Sequence, residues 1–282
     1  MTVVGVALAG CSSEPESFLV NGIGVGVKGD QPGTSYLFAD GDYRGFDVTV
    51  AKAVLRGVGV DDPNPQGVLS RNRVNDLRKG RVKLVASTFS ITPDRMKPRS
   101  ADGDGGEGLD FVGPYAVTHQ GMLVRAEDSE YYDDIKKFDR KNVCVWEETT
   151  SAKLLDEPAY SRIGHTTVTD AKQCIDGLKK GIFDAVSTDQ LILYGFAKEN
   201  PELAVVDEVK IGPPNKYGIA MVKGHRQDCN KLKKSLLKYM GGDGWSTAFE
   251  ENLDLPDKIR ESSRPTTEEI EDSSCVDKIR GS

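Results

Sequence analysis

Ser87-Thr88-Phe89-Ser90-Ile91-Thr92-Pro93-Asp94-Arg95 concentrates the side chains of an anion site in nine residues, where a strand gives way to a helix. Thr92 is suited to cap a helix that starts at Pro93, where a missing N–H costs nothing. Thr88 and Ser90 bring hydroxyls, the helix start brings free N–H groups, and Arg95 brings a planar fork of donors matched to a carboxylate. An ordinary capped helix with a surface arginine accounts for the same residues equally well. A second junction, Val145-Trp146-Glu147-Glu148-Thr149-Thr150-Ser151, again puts hydroxyls at a cap. At a third, Ser187-Thr188-Asp189-Gln190, Asp189 is either a plain N-cap or a carboxylate held out to a ligand ammonium.

Those junctions imply an α/β frame, because ligands in open sheets of this class bind beyond the carboxyl ends of the strands. Ile23, Val25 and Val27 alternate with glycine as a strand does, and Asp40-Gly41-Asp42 makes a turn. Phe46, Val50 and Val54 mark one face of a helix ending at Gly57 and Gly59, then a helix around Val74 to Leu77 leads into a strand at Val82 to Ala86. A second series begins near Met122 to Val124. It runs through a strand at Val143 to Trp146, helices at Ala152 to Leu155 and Ala171 to Leu178, a strand at Phe183 to Val186 and a helix at Leu191 to Ala197. Tyr217 to Met221 is a further strand and Leu232 to Tyr239 a helix. The alternation predicts mostly parallel sheets flanked by helices. Past Leu255 the chain is polar, with Pro265 and Ile270 the only apolar residues between Glu261 and Ser274, which predicts an extended or disordered tail apart from any link at Cys275.

Composition removes several functions. A chain of 282 residues suits two lobes better than one core. The net charge of −7 argues against a nucleic-acid partner, and the basic run Arg71 to Arg81, interleaved with Asp and apolar residues, reads as a solvated helix face. Gly24-Val25-Gly26-Val27-Lys28-Gly29 fits G-x-G-x-x-G, yet its glycines lie inside a strand and no helix follows, so it is not a dinucleotide site. The Asp102 to Gly108 loop lacks the oxygen ligands of a calcium site where Gly106 stands. No hydrolase elbow, zinc spacing or clustered histidine is present, so neither a metal nor a cofactor is expected.

The five cysteines fall in informative places. Leu8-Ala9-Gly10-Cys11 resembles the lipobox of bacterial lipoproteins, in which the cysteine is acylated after cleavage, and Ser12 to Ser17 reads as a tether. The residues before Cys11 contain no Lys or Arg and are short for a working signal, which places the true start upstream. An exported chain permits disulfides. Cys144 and Cys174 fall on a strand and a helix of the same lobe, and Cys229 with Cys275 would staple the tail to the body, although four cysteines allow three connectivities.

Five segments in order carry a resemblance. Gly22 to Asp47 with Gly45-Phe46-Asp47-Val48, Ser90 to Arg95, Phe111-Val112-Gly113-Pro114-Tyr115, Asp184 to Asp189 and Tyr217-Gly218-Ile219 look like the family 3 solute-binding proteins, the amino-acid receptors of ABC importers, and most like the glutamate-type branch. The likeness spans about residues 20–255. It implies a two-lobed, type II periplasmic-binding-protein fold: a signal remnant and tether over 1–21, lobe 1 over 22–117 and 220–255, lobe 2 with two hinge strands over 118–219, and a polar tail over 256–282. It also implies that Arg95 grips the ligand α-carboxylate with help from Thr88, Ser90 and Thr150. Asp189 would take the α-ammonium and Asp30 would face the ligand side chain.

The resemblance further implies a non-enzymatic, monomeric, extracytoplasmic receptor. It would be anchored to the outer face of the cell membrane through Cys11, bind a free polar amino acid by hinge closure and deliver it to an ABC permease. A sensory receptor with the same pocket, or a dehydratase-like enzyme on the same fold, are the competing readings. Two departures bear on specificity. Glu148 stands where the family usually has Gly, and a carboxylate aimed into the cleft there would disfavour an acidic ligand; residues 99–108 are an insertion that would lengthen the cleft rim.

Overall fold

The computed structural model describes residues 15–98, 100 and 106–279. Lobe 1 begins with β1 (Gly24–Val27), the small sheet of β2 (Asp30–Gln31), β3 (Ser35–Leu37) and β4 (Tyr43–Arg44), and α1 (Phe46–Arg56). β5 (Asn64–Gly67), α2 (Arg73–Arg78), β6 (Leu84–Val85) and the one-turn α3 (Pro93–Met96) follow. The long β7 (Leu109–Arg125) crosses into lobe 2, which holds β8 (Asn142–Trp146), α4 (Thr150–Leu155), β9 (Gly164–Val168), α5 (Ala171–Lys179), β10 (Ala185–Asp189), α6 (Gln190–Glu199) and β11 (Leu203–Val205). β12 (Ile211–Val222) returns to lobe 1, followed by α7 (Arg226–Met240), α8 (Gly244–Leu253), α9 (Asp257–Ser263) and α10 (Thr267–Ser273).

The main sheet has the order β5-β1-β6-β12-β7-β10-β8-β9, with β11 on β7. Pairs outside the crossing strands, β1 with β5 and β6, and β8 with β9 and β10, are parallel, as the βα alternation requires. β7 and β12 pair antiparallel through the middle, from Ile211 opposite Gln120 to Val222 opposite Leu109. They are the two strands that pass between the lobes.

Each lobe has its own core, which is why the chain is long enough for two. In lobe 1, Val50, Val54 and Leu55 of α1 pack with β1 and α7, and Phe46 meets Trp245 and Phe249 edge-on at 5.7 and 5.6 Å. Trp245 satisfies its indole N–H on the Tyr115 carbonyl at 2.7 Å. Lobe 2 buries Leu123, Trp146, Val186 and Phe196 on one face of its sheet and Met122, Val143, Val145 and Phe138 on the other. Disulfide Cys144–Cys174 ties β8 to α5, and Cys229–Cys275 ties α7 to the C-terminal segment, which settles the connectivity.

The tail corrects the expectation of an extended or disordered end. Residues 257–273 form α9 and α10, and α10 starts with a capping box in which Thr266 accepts from the Glu269 N–H at 3.1 Å and the Glu269 carboxylate accepts from the Thr266 N–H at 2.9 Å. Ile270 is fully buried, Ser274 Oγ bonds to both backbone groups of Gly113, and the Cys275 N–H donates to the Phe111 carbonyl. The buried Ile270, with Ile259, Val276 and Ile279 packed at the core's edge, a disulfide and borrowed strand partners replace the hydrophobic stripe that the composition lacks. The insertion over 99–108 and the Asp102 loop fall partly outside the described residues, and Cys11 wholly so. No helix among the described residues is long and apolar enough to cross a membrane.

Candidate functional site

The first junction folds as its residue types require. Thr92 caps α3 by accepting from the Arg95 N–H at 3.3 Å, and Pro93 takes the first helical position. Arg95 is buried rather than on the surface. Its Nη1 donates to the Ser90 carbonyl at 2.7 Å, and its guanidinium lies 4.2 Å from the centroid of Phe89. Burial lowers its pKa to about 10, opposed by the negative charges of Glu107, Glu148 and Asp189.

Thr88 adopts the left-handed region, φ +49°, and is held there by its N–H donating to Asp47 Oδ2 at 2.7 Å. Its hydroxyl reaches Gln31 Oε1 at 3.1 Å. Ser90 Oγ lies 3.4 Å from Thr150 Oγ1, a contact between the lobes. Thr150 opens α4, which Thr149 caps by accepting from the Ala152 N–H at 3.1 Å.

Asp189 occupies the N-cap position of α6 but makes no side-chain cap bond. Its carboxylate instead accepts from Asn215 Nδ2 at 2.6 Å and from the Tyr217 hydroxyl at 2.7 Å, both on β12. Burial raises its pKa, while those two donors and the charges of Arg73 and Arg95 pull it back. Arg95 and Asp189 thus stand in each other's fields, buried, on different lobes. Asp30 forms an ion pair with Lys28, its Oδ1 3.1 Å from Lys28 Nζ; neither of its oxygens has a hydrogen bond among the described residues.

Two cations escaped the sequence reading. Arg73, placed within a solvated helix face by its charged neighbours, is 4% exposed and points inward from α2. It donates to the Ser87 carbonyl at 3.1 Å in lobe 1 and to the Glu148 carbonyl at 3.2 Å in lobe 2, and lies 4.1 Å from the Phe89 centroid. Desolvation lowers its pKa to about 9, with Arg95 adding to the drop. Lys28 is 1% exposed, 3.5 Å from Ser70 Oγ, and its pKa is lowered by burial first, against the pull of Asp30. Lys28 sits inside the Gly24 to Gly29 pattern, whose glycines carry no sign of a buried cation. For Arg73 the usable signal is Val74 and Leu77 next to it, which turn that side of α2 toward the protein.

A cavity of about 260 Å³ is lined by Ser70, Arg73, Phe89, Arg95, Glu107 and Glu148, among others. Glu148 itself is exposed and has φ +56°, the backbone region that favours glycine, so its carbonyl rather than its side chain makes the interlobe bond. Across the rim Arg71 pairs with Glu147 at 3.0 Å. Among the described residues no group of three or more His, Cys, Asp or Glu is placed to hold a metal.

Two lobes joined by two strands, with buried cations and a buried carboxylate within reach of one another's fields, define the two-lobed solute-binding class. The chain belongs to the bacterial extracellular solute-binding proteins, family 3, whose model matches residues 23–208. It is 28% identical over 282 residues to the glutamate-binding protein GluB of Corynebacterium glutamicum, covering 93% of this chain and 91% of that one. It is also 28% identical over 210 residues to the glutamine-binding protein GlnH of Bacillus subtilis, covering 73% and 71%. Among solved structures, the solute receptor for L-cysteine of Neisseria gonorrhoeae superposes with a TM-score of 0.73 at 25% identity, over 86% of this chain and 96% of that one.

Proposed function

We propose that this chain captures a free acidic amino acid, glutamate foremost, outside the cytoplasmic membrane and delivers it to an ABC permease. The observation that carries the reading is the buried pair of opposite charges on different lobes, Arg95 and Asp189, each already oriented by protein partners. The α-carboxylate binds Arg95 with the hydroxyls of Thr88, Ser90 and Thr150, and the α-ammonium binds Asp189, so both ends are satisfied only when the lobes are closed. Lobe 1 comprises 22–117 and 220–255, and lobe 2 118–219, turning on Thr118 to Gly121 and Pro213 to Lys216.

Lys28 and Arg73, desolvated and beside Ser70, provide a cationic end for a second carboxylate, with Asp30 as the partner of Lys28. The glutamate-binding relative supports the same ligand class. Glu148 lines the same cavity as Arg73 and Arg95 and its charge is felt at Arg95, so its exposure to water weakens its opposition to an acidic ligand without removing it. On this reading the protein acts as a monomer and not as an enzyme; the relatives named as glutamate- and glutamine-binding proteins support a binding role. Acylation of Cys11 tethers it to the outer face of the membrane, where one acyl chain alone would hold it only marginally.

A thermal-shift screen of the twenty amino acids tests this reading, since a ligand that binds only the native state raises its melting temperature. Glutamate is expected to give the largest shift in the wild type and none in Arg95→Ala. No shift with any amino acid, or wild-type affinity in Arg95→Ala by calorimetry, overturns it.

A further inference from the structure

Gly106, where the described chain resumes within the segment that departs from the family pattern, packs on the helix that carries Arg95. A Cβ at Gly106 would sit 2.0 Å from the Asp94 carbonyl oxygen and 2.6 Å from Lys97 Cβ, so only glycine fits against α3 there. The next two N–H groups finish the anchor: Glu107 donates to the Asp94 carbonyl at 3.0 Å and Gly108 to the Lys97 carbonyl at 2.9 Å. Arg78 Nη2 fixes the Glu107 carbonyl from the other side at 2.7 Å.

This seating aims the Glu107 side chain into the cavity beside Arg95. Its Oε2 is buried, makes no hydrogen bond among the described residues, and stands 3.7 Å from Arg95 Nε. That distance is an ion pair without a hydrogen bond. Arg73 lines the same cavity. A ligand carboxylate that arrives at Arg95 therefore meets a guanidinium that already has a buried carboxylate 3.7 Å from its Nε, with the exposed Glu148 at the cavity's edge.

We infer that Glu107 is the resident counter-ion of Arg95, and that the ligand's carboxylate binds against its field. Glu107 is a positioning and tuning residue. It stabilises a desolvated guanidinium while the cleft is empty, and it weakens anion capture when the cleft is filled. Two carboxylates a few ångströms apart in a partly dry cavity repel strongly, because little water screens them. The inference rests on the amino-acid-binding reading for its second arm only.

Two measurements test it. In the ligand-free protein, Glu107→Gln keeps the shape and removes the charge, and lowers the melting temperature. In an Arg95→Met background the same substitution loses at least half of that effect, because its partner is gone. An equal effect in both backgrounds, or no effect in either, overturns the counter-ion. This arm needs no ligand and so remains readable if no amino acid binds the wild type.

In calorimetry with L-glutamate, Glu107→Gln binds about tenfold more tightly than wild type. Affinity within twofold of wild type, or weaker, overturns the tuning role.

Discussion

Tyr217 donates its hydroxyl to Asp189 at 2.7 Å, so a strand that runs between the lobes holds the carboxylate proposed to take the ligand ammonium. Both groups are fully desolvated, and the Tyr217 hydroxyl pKa is raised by burial first and by Asp189 second. The neutral phenol is thus a dependable donor at any working pH. Tyr217→Phe removes that donor while Asn215 remains. The Asp189 pKa then rises further, and the carboxylate loses part of its charge-assisted geometry. Affinity for the amino acid is expected to fall about tenfold in calorimetry, with the far-ultraviolet circular dichroism unchanged. Unaltered affinity would mean that Asp189 does not contact the ligand.

Arg73 makes a second prediction, on selectivity. Its fork spans the lobes from the Ser87 carbonyl to the Glu148 carbonyl, and it shares the Phe89 ring with Arg95. Arg73→Lys keeps a charge but not the two-sided geometry, and Arg73→Met keeps neither. Glutamate affinity is expected to fall about thirtyfold or more in Arg73→Met and less in Arg73→Lys. Glutamine affinity should change less in both, since it carries no side-chain charge for Arg73 to meet. Equal losses for the two ligands, measured by calorimetry, would assign Arg73 to lobe closure alone.

What the sequence revealed follows from how far each signal reaches along the chain. The Thr92–Pro93–Arg95 junction, the α1 face at Phe46, Val50 and Val54, and the βα order are local patterns, and each was legible. Asp189 at the head of α6 was legible as a position. Its partners Asn215 and Tyr217 lie 26 and 28 residues away, so its role as an oriented carboxylate was not. Arg73 is hard to place from sequence because the charge alternation of Arg71 to Arg81 masks the apolar Val74 and Leu77 beside it. The tail is illegible for a related reason: Thr266 to Glu269 spells a capping box, but the segment is held by the Cys229–Cys275 bridge and the Ser274 bonds to Gly113, which no local window contains.

The tail gives a third prediction. Cys229 and Cys275 are 46 residues apart, and a crosslink over such a loop stabilises by about 4 kcal/mol in the chain-entropy account. Cys275→Ser should therefore lower the denaturation midpoint by a large margin. Thr266→Ala, which removes only the cap, should cost about 1 kcal/mol. Urea unfolding of both variants checks the order, and a Cys275→Ser protein as stable as wild type would show that the segment docks without its staple.

Asp47 makes the last prediction, on pH. It sits in the first turn of α1, accepts from the Thr88 N–H at 2.7 Å and from the Tyr115 hydroxyl at 2.9 Å, and is wholly buried. Burial raises its pKa from 3.8 to about 7, and those two donors with Arg73 only partly oppose the rise. A group whose pKa is higher folded than unfolded binds its proton more tightly in the native state. The stability this contributes is fully present below the unfolded value near 4 and is lost as pH rises through about 7. The unfolding free energy of the wild type should therefore fall between those two values. Asp47→Asn, which cannot ionise, should show a flatter profile across the window whatever its absolute stability. Its amide keeps one acceptor oxygen, for the Thr88 N–H or the Tyr115 hydroxyl but not for both, so the variant starts from a lower plateau at acid pH. Urea titrations at three pH values in that window compare the slopes, and identical slopes in the two proteins would mean that Asp47 folds already ionised.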